Sequence, residues 1–321
     1  MKKGKCLRDK MINLKIKIPQ DFFNGEMQDG YYVSPKMKEI WAVELDLLAE
    51  FDRVCKKYCL KYYADGGTLL GAIRHKGIIP WDDDIDLTMF RSDYNKLCEI
   101  AQNEFKNPYF FQTEYTDKGS LRGHAQLRNS NTTAILKKSE NCNYPFNQGI
   151  FIDIFPMDAV IENKIKFKLQ GYIAEYYKWL SRIISRATDT YSNNVKDPKR
   201  KLIMGFFHLI FNSPLKYLFH DYDVYYKKFE DMCQKYNKLE TNKISLLSFQ
   251  FLDSRNFKYR DDYKETIEVD FEFMKIPVMK NYERVLKMNF GDWKKFVIGT
   301  SDHGNIIFDV DKSYKYYVNK F

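Results

Sequence analysis

Asp84 and Asp86 lie one residue apart at the start of an alternating run, and this feature constrains the fold most strongly. Residues 85–90 alternate apolar and other side chains with the two-residue period of a half-buried strand. Side chains two positions apart on a strand point to one face, so we expect the two carboxylates to lie together. Acidic runs are usually solvated, but carboxylates on a strand leading out of a core are costly unless a cation or donors match them. The run therefore favours a strand that ends in a site.

A glycine pair and three basic residues precede this strand. Gly66 and Gly67 come directly before residues 68–75, which have a helical pattern. Backbone N–H groups at such a helix start can approach a phosphate closely, and the helix dipole favours its negative charge. The basic residues at 74–76 add further donors, and a pair of carboxylates suits Mg²⁺. The pattern is typical of a site for a phosphate and a metal ion.

The pattern of the first 160 residues mixes strands with helices. Apolar residues at three- and four-residue steps predict a helix over 36–58, and Ser92 is a plausible N-cap for a helix reaching to about 105. Strands are predicted over 61–64, 85–90, 109–115, 123–128, 132–136 and 149–155, the last stopping at Pro156. This mixture indicates the α/β (α+β) class.

The chain of 321 residues divides into four parts by pattern and charge. These are an N-terminal extension (1–35), a mixed core (36–160), a basic, aromatic-rich and largely helical module (161–260), and a segment that returns to the core (261–321). The helical module has 19 Lys+Arg against 10 Asp+Glu and so holds the whole net charge of +9. A solvated helical face would explain this excess, and so would a surface facing something anionic.

The run from Gly67 to Asp86 resembles very closely the signature of the LicD family, Gly-Thr-Leu-Leu-Gly-Ala-Ile-Arg-His-Lys-Gly-Ile-Ile-Pro-Trp-Asp-Asp-Asp-Ile-Asp. These proteins are phosphocholine transferases of bacterial surface glycans, related to fukutin-type ribitol-phosphate transferases. The resemblance covers roughly residues 40–160 and 260–295, where Phe-Gly-Asp-Trp at 290–293 is similar to the family's Tyr-Gly-Asp-Tyr. Residues 296–303 depart from the family's Arg…His-His ending, which puts a role for His303 in doubt.

The resemblance implies a nucleotidyltransferase-like mixed sheet and a phosphoryl transfer. CDP-choline or another CDP-alcohol is the implied donor, a hydroxyl of a cell-surface glycan or its lipid-linked precursor is the acceptor, and CMP leaves. Mg²⁺ (or Mn²⁺) is the implied cofactor, held by Asp84, Asp86 and Asp153. Asp153 or His75 takes the hydroxyl proton. The catalytic residues are then Asp84, Asp86, Asp153 and His75, and the donor-binding residues are Gly66, Gly67, Thr68, Arg74, Lys76, Trp81 and Arg91.

Several of these side chains have a second interpretation. Trp81 either packs below its loop or stacks on cytosine. Arg91 either binds substrate or forms an ion pair with Asp86 or Asp93. The histidines at 124, 208 and 220 are expected to be structural.

Three other functions compete with this one. A nucleotidyltransferase that attaches a nucleotide to a small hydroxylated substrate would release pyrophosphate instead of CMP. An Asp-x-Asp glycosyltransferase lacks the preceding glycine pair. Nucleic-acid binding is not expected, because the basic residues of the helical module are interleaved with apolar stretches.

Within residues 200–219, the stretch from Leu202 onward is strongly apolar, follows Lys199, Arg200 and Lys201, and is broken at Pro214. It is too short and broken to span a bilayer. It predicts either a helix buried against the core or a peripheral membrane contact. No secretory signal is evident and no cysteine pair has the CxxC spacing, so we expect a cytoplasmic protein, located at the inner face of the cytoplasmic membrane if that contact exists.

Overall fold

A computed structural model of the chain describes residues 14–136, 146–188, 198–211, 213–214, 219–239, 241–252, 257–299 and 306–318. The helices in these ranges are α1 (Pro35–Lys57), α2 (Gly66–Arg74), α3 (Arg91–Glu104), α4 (Lys164–Thr188), α5 (Pro198–Phe211), α6 (Tyr222–Gln234), α7 (Tyr282–Phe290) and α8 (Lys315–Val318). The strands are β1 (Glu26–Gln28), β2 (Tyr31–Val33), β3 (Tyr63–Ala64), β4 (Asp86–Phe90), β5 (Tyr109–Gln112), β6 (Ala125–Asn129), β7 (Thr133–Leu136), β8 (Ile150–Ala159), β9 (Lys243–Ser245), β10 (Lys258–Tyr259), β11 (Thr266–Phe271), β12 (Met274–Met279) and β13 (Ile306–Asp309).

A seven-stranded mixed sheet forms the centre of the molecule, and β8 is its longest strand. One edge of β8 pairs in parallel with β4, and β3 lies beyond β4. The other edge of β8 pairs antiparallel with β6 over its first half and with β9 at its end. The α/β (α+β) class with a mixed sheet is therefore confirmed.

The predicted stop of β8 at Pro156 is wrong, because the strand continues to Ala159. Asp153 N donates to Ile85 O of the segment leading into β4, so the position of Pro156, an odd number of residues later, faces the opposite edge. On that edge β6 pairs only as far as Ile154, and β9 begins its pairing at Asp158. Pro156 thus lies between the parts of β8 that pair with β6 and with β9. No hydrogen bond between strands is lost there, although proline lacks a backbone N–H.

Helix α1 confirms the predicted apolar stripe and packs against β8 and β6. Its N-cap is Ser34, whose hydroxyl accepts from Met37 N at 3.2 Å. Helix α3 begins at Arg91 instead of following Ser92, and its N-cap, Phe90, makes no side-chain cap bond. The prediction of Ser92 as a cap is therefore wrong, because β4 runs directly into the helix.

The helices predicted in the module 161–260 are confirmed as α4, α5 and α6. The same module also supplies two strands that the sequence pattern did not predict, β9 and β10, which extend the central sheet from β8. The C-terminal segment returns as the hairpin β11–β12, the helix α7 and the strand β13, which pairs with β7. Within the described ranges, every helix is too short or too polar to cross a membrane.

Candidate active site

Three carboxylates that the sequence predicted to act together do meet at one point of the sheet. Asp84, Asp86 and Asp153 each offer an oxygen atom, and these atoms lie within 4.8 Å of one another. The cause is strand register, because Asp86 on β4 is directly opposite Asp153 on the parallel strand β8. Asp84 lies two residues before Asp86, in the segment that leads into β4. The cluster is half-buried at Asp84 and Asp86 and buried at Asp153.

Backbone and side-chain bonds tie the start of α2 to the carboxylate strand. Asp65 N donates to Asp86 O at 3.0 Å, and Asp86 N donates to Thr68 Oγ1 at 2.8 Å. Lys258 on β10 donates to the buried carboxylate of Asp65. Thr68, predicted to bind the donor, is itself buried and uses its hydroxyl to fix Asp86. These bonds hold the start of α2 against Asp86.

The two glycines at the start of α2 are required for different reasons. Gly66 has φ +50°, a conformation that favours glycine. A Cβ on Gly67 would lie only 2.6 Å from Asp82 Oδ2, so a larger residue would displace that carboxylate. Gly67 lines the cleft beside the three carboxylates, and the approach of a phosphate to its backbone stays a prediction.

Asp86 and Asp153 have opposite pKa shifts although they are neighbours. Burial, followed by the charges of Asp84 and Asp153, raises the pKa of Asp86 well above its usual value. Burial alone would also raise the pKa of Asp153, but His124 and Gln126 outweigh it through charge and hydrogen bonds, so that pKa is lowered. The two carboxyl groups therefore differ in acidity although they lie opposite each other.

His124 is a site residue that sequence reasoning missed, since it was expected to be structural. Its Nε2 lies 3.0 Å from Asp153 Oδ1, and a carboxylate oxygen can only accept, so Nε2 carries the proton. The imidazole packs on Phe155 at 4.4 Å between ring centroids and is 93% buried in its side chain. Its Nδ1 has no hydrogen-bond partner among the described residues.

Gln126 continues the support of Asp153 on the same face of β6. Its Nε2 donates to Asp153 Oδ1 at 2.6 Å, and its Oε1 accepts from the buried Arg128. Arg128 in turn donates to Gly149 O at 2.6 Å. Polar side chains alternate at His124, Gln126 and Arg128, and this spacing could have indicated that they share one face of a strand. The sequence did not show that this strand, β6, lies beside β8.

A buried carboxyl from α1 lies near the acidic cluster. Glu44 is 1% exposed, and burial, followed by the charges of Asp84 and Asp83, raises its pKa well above the usual value. Asp82, Asp83 and Asp84 also offer oxygen atoms within 4.8 Å of one another. The site therefore holds a high density of carboxyl groups, and Glu44 favours its protonated form there.

Arg74 and His75 are bonded to each other rather than placed separately at the cluster. Arg74 Nε donates to His75 Nε2 at 2.9 Å, so His75 Nδ1 carries the proton and donates to Asp29 Oδ2 at 2.8 Å. Burial, then the charge of Arg74, lowers the pKa of His75. Arg74 also donates to Trp293 O and Lys295 O, at 3.3 and 3.4 Å. The catalytic role of His75 stays a prediction. Its hydrogen bonds indicate that it orients the guanidinium of Arg74.

Lys76 lies apart from the cluster, on the side of the β11–β12 hairpin. It is exposed with φ +58°, and its carbonyl accepts from Glu272 N at 2.7 Å. Glu272 also accepts from Ile78 N through its carboxylate at 3.0 Å. Lys76 is absent from the residues that line the cleft, so a direct contact with the donor phosphates stays a prediction.

A cleft of about 400 Å³ opens over Asp84 and Asp86. One wall comes from the predicted signature and includes Gly67, Arg74 and Trp81. The other wall comes from the C-terminal segment, and its residues are Phe290, Asp292, Trp293, Lys295 and Val297. The Phe-Gly-Asp-Trp sequence at 290–293 belongs to this wall, a position that the sequence pattern did not predict.

Trp81 lines this cleft and also packs within its wall. Its ring lies 6.0 Å from Tyr31 and 6.1 Å from His75 between centroids. A Cβ built on Gly299 would lie 3.4 Å from Trp81 Nε1, so the C-terminal segment passes closely over the indole. Packing is thus observed, and stacking on cytosine stays a prediction.

Arg91 is a core residue, which corrects its predicted pairing with Asp86 or Asp93. Its Nε and Nη2 donate to the two carboxylate oxygens of Asp158, at 2.8 and 2.6 Å, and both side chains are buried. Burial alone would lower the pKa of Arg91, but the charge and hydrogen bonds of Asp158 raise it. The guanidinium is committed inside the core, and Arg91 is absent from the residues that line the cleft.

Comparison with known proteins shows what the central part of the chain is similar to. The family model for "LicD/FKTN/FKRP, nucleotidyltransferase domain" matches residues 60–176, which contain the three clustered carboxylates. Residues 60–176 are therefore similar to the LicD family. The matched LicD domain ends within α4, so Lys258 and the C-terminal wall of the cleft lie outside it.

Relatives of the LicD domain include named phosphotransferases. The chain is 28% identical to lipopolysaccharide cholinephosphotransferase LicD of Haemophilus influenzae over 81% of this chain and 91% of that protein. A 40-residue stretch is 50% identical to ribitol 5-phosphate transferase FKRP of Homo sapiens, and covers 12% of this chain and 8% of that protein. An uncharacterized protein of Rickettsia prowazekii, RP689, is 40% identical over 22% of this chain and 24% of its own length.

Proposed function

We propose that the chain transfers phosphocholine, or another phospho-alcohol, from a CDP-alcohol to a hydroxyl of a cell-surface glycan or its lipid-linked precursor, and releases CMP. The observation that carries this proposal is the meeting of Asp84, Asp86 and Asp153 beside the glycine start of α2. Support comes from the similarity to a lipopolysaccharide cholinephosphotransferase over 91% of that protein's length.

The three carboxylates fit Mg²⁺ or Mn²⁺. All of their offered atoms are oxygens, which are the ligands that these hard cations prefer. The raised pKa of Asp86 shows that the protein places a carboxyl where its charge is unfavourable without a counter-ion. When bound, the cation would neutralise negative charge on the phosphate oxygens of the donor.

The donor phosphates are proposed to lie between α2 and the C-terminal wall. Gly67 brings the backbone of the first turn to the cleft, and Arg74 and Lys295 bring positive charge to its two sides. His75 Nε2 accepts a hydrogen bond from Arg74 Nε and so fixes the arginine, which makes His75 a positioning residue in this proposal. Trp81 and Trp293 offer aromatic surface for the base or the alcohol.

Neither Asp153 nor His75 is well suited to take the proton of the acceptor hydroxyl. Two donors stabilise the charged form of Asp153, which makes it a good cation ligand and a weak base. His75 has both ring nitrogens engaged and does not line the cleft. We therefore propose that both support the reaction by binding and orientation.

The rival function is nucleotidyl transfer with release of pyrophosphate, and product identity separates the two. The protein is incubated with Mg²⁺, a glycan acceptor and each of CDP-choline, CDP-ethanolamine, CDP-glycerol, CDP-ribitol and CTP, and the released phosphates are identified by ³¹P NMR. The proposal expects CMP from at least one CDP-alcohol and no pyrophosphate from CTP. Pyrophosphate release from CTP, with every CDP-alcohol left intact, would establish the rival.

A cytoplasmic location and a peripheral membrane contact through residues 200–219 stay proposals. Leu215, Tyr217 and Leu218 lie outside the described residues, so this contact is argued from the helices that the structure does describe.

A further inference from the structure

Helix α4 exposes an apolar stripe along its outer face. Ile165, Leu169, Tyr172, Tyr176 and Trp179 follow one another at three- and four-residue steps, and each is 49–80% exposed. Residues with this spacing lie on one side of a helix. A helix on a water-facing surface normally places charged and polar residues there. This face of α4 is therefore adapted to a partner that is less polar than water.

The opposite face of α4 carries polar residues that are buried and bonded. Gln170 donates to Met232 O at 2.6 Å, and Lys178 Nζ donates to Ser248 O and Phe249 O at 3.3 and 3.0 Å. Ser181 and Ser185 are also buried on this face. These contacts fix α4 to α6 and the segment after β9, so the exposure of the stripe is not caused by a loosely packed helix.

Helix α5 continues the apolar surface beside α4. Leu202, Phe206 and Leu209 repeat at the same helical spacing and are 61–78% exposed. The two helices contact each other through Trp179 and Phe207, whose rings meet edge to face at 6.3 Å. The outer faces of α4 and α5 thus form one surface, which we name the apolar helix face.

Basic residues border the apolar helix face. Lys164, Lys166 and Lys168 are exposed on the first turns of α4, next to Ile165 and Leu169. Between residues 161 and 211 the sequence has ten Lys or Arg and four Asp or Glu. Tyr and Trp side chains favour the boundary between hydrocarbon and water, and Lys favours anionic headgroups beside it. The combination of aromatic rings with an excess of positive charge matches the chemistry of an anionic bilayer surface.

We propose that the apolar helix face binds the surface of an anionic phospholipid bilayer, with α4 and α5 lying in the plane of the headgroups. This surface includes the described part of residues 200–219 but depends chiefly on α4, which sequence analysis did not single out. The proposal does not depend on the identity of the donor or the product. It follows from exposure, spacing and charge alone.

The test is flotation with vesicles of phosphatidylcholine alone and of phosphatidylcholine with about a third phosphatidylglycerol, at low and high salt. The wild-type protein is expected to float with the anionic vesicles at low salt and to be released at high salt. The double substitution Leu169→Gln and Tyr172→Gln is expected to weaken this binding by about tenfold or more, because it removes two large apolar contacts. The matched control, Met27→Gln with Leu239→Gln, removes two equally exposed apolar side chains elsewhere and should bind as the wild type does.

Self-association and folding are measured on the same samples. Circular dichroism should show equal helix content in the wild type and both double variants, since all four positions are exposed. Sedimentation velocity without vesicles should show a monomer. Absence of flotation with anionic vesicles would overturn the proposal. A dimer that the Leu169→Gln/Tyr172→Gln variant abolishes, without vesicle binding by the wild type, would assign the face to a second copy of the chain instead.

Discussion

Asp86 and Asp153 lie directly opposite each other on the neighbouring parallel strands β4 and β8. A shift of one residue in this register would turn one carboxylate to the other face of the sheet. Their surroundings differ, because Asp153 accepts from His124 and Gln126 while Asp86 faces the charge of Asp84. The pKa values of the two carboxyl groups are therefore shifted in opposite directions.

The first prediction concerns the free energy of unfolding of Asp86→Asn in the absence of metal. The folded state raises the pKa of Asp86, so the unfavourable charge of this group lowers the stability of the wild-type protein as the pH rises from the ordinary carboxyl pKa up to the raised one. Asn removes this charge, so the variant should be more stable than the wild type at neutral pH, and the difference should shrink toward about pH 4. Urea unfolding in EDTA at several pH values measures it. A variant that is less stable at neutral pH would contradict the assigned repulsion.

The second prediction concerns His124→Phe, which keeps a ring against Phe155 but removes the donor to Asp153. Groups that support a metal ligand in this way usually change metal affinity by about 10- to 100-fold when removed. We expect a loss of this size in Mn²⁺ affinity, measured by electron paramagnetic resonance, with the fold unchanged. The control His220→Phe, at an exposed position on the segment before α6, should bind Mn²⁺ as the wild type does. Equal affinity in both variants would remove His124 from the site.

The strand pattern around Asp84 and Asp86 could be read from the sequence because it is local. The same local pattern predicted β8 and so placed Asp153 on a buried strand. Which strands become neighbours is set by packing over long distances, so the sequence did not reveal that His124 supports Asp153. The second wall of the cleft, including Trp293, lies more than 200 residues from Arg74 and was missed for the same reason.

Charged residues were harder to assign than apolar ones. Arg91 follows Asp86 by five residues in the sequence, and this proximity suggested Asp86 or Asp93 as partners. The structure pairs it with Asp158 across the sheet, because β8 continues past Pro156 and brings that carboxylate into the core. Pro156 does not end β8, because it lies between the part of β8 that pairs with β6 and the part that pairs with β9. The local sequence pattern cannot show where those pairings end and begin.

The third prediction follows from the buried pair of Arg91 and Asp158. Arg91→Met leaves a buried carboxylate without its charged partner, which typically destabilises a protein by about 3–5 kcal/mol. Chemical denaturation should show a loss of this size in the free energy of unfolding. The KM for the donor, measured on the folded variant, should stay unchanged. A large rise in KM with unchanged stability would instead support the original expectation that Arg91 binds the donor.

The fourth prediction compares two helical glycines. A Cβ on Gly71 would lie 2.5 Å from Gly77 O, so Gly71→Ala should force backbone movement and destabilise the protein by about 1–3 kcal/mol. Gly205 has no atom within 4 Å of the corresponding position, so Gly205→Ala should stabilise it by up to about 1 kcal/mol through helix propensity. Thermal unfolding of both variants measures the difference. Equal melting temperatures would contradict the close packing of α2 against the loop that follows it.

The most direct test of the proposed reaction is the rate of CMP release from a CDP-alcohol as Mg²⁺ is titrated. The wild type and the control Asp231→Asn, which changes an exposed carboxylate on α6, should show the same saturable dependence on Mg²⁺. Asp84→Asn should lower the rate by about 100-fold or more at saturating Mg²⁺, as expected for loss of an essential catalytic group. CMP release that persists in EDTA, or that Asp84→Asn leaves within about tenfold of the wild-type rate, would contradict a metal-dependent transfer at the three carboxylates.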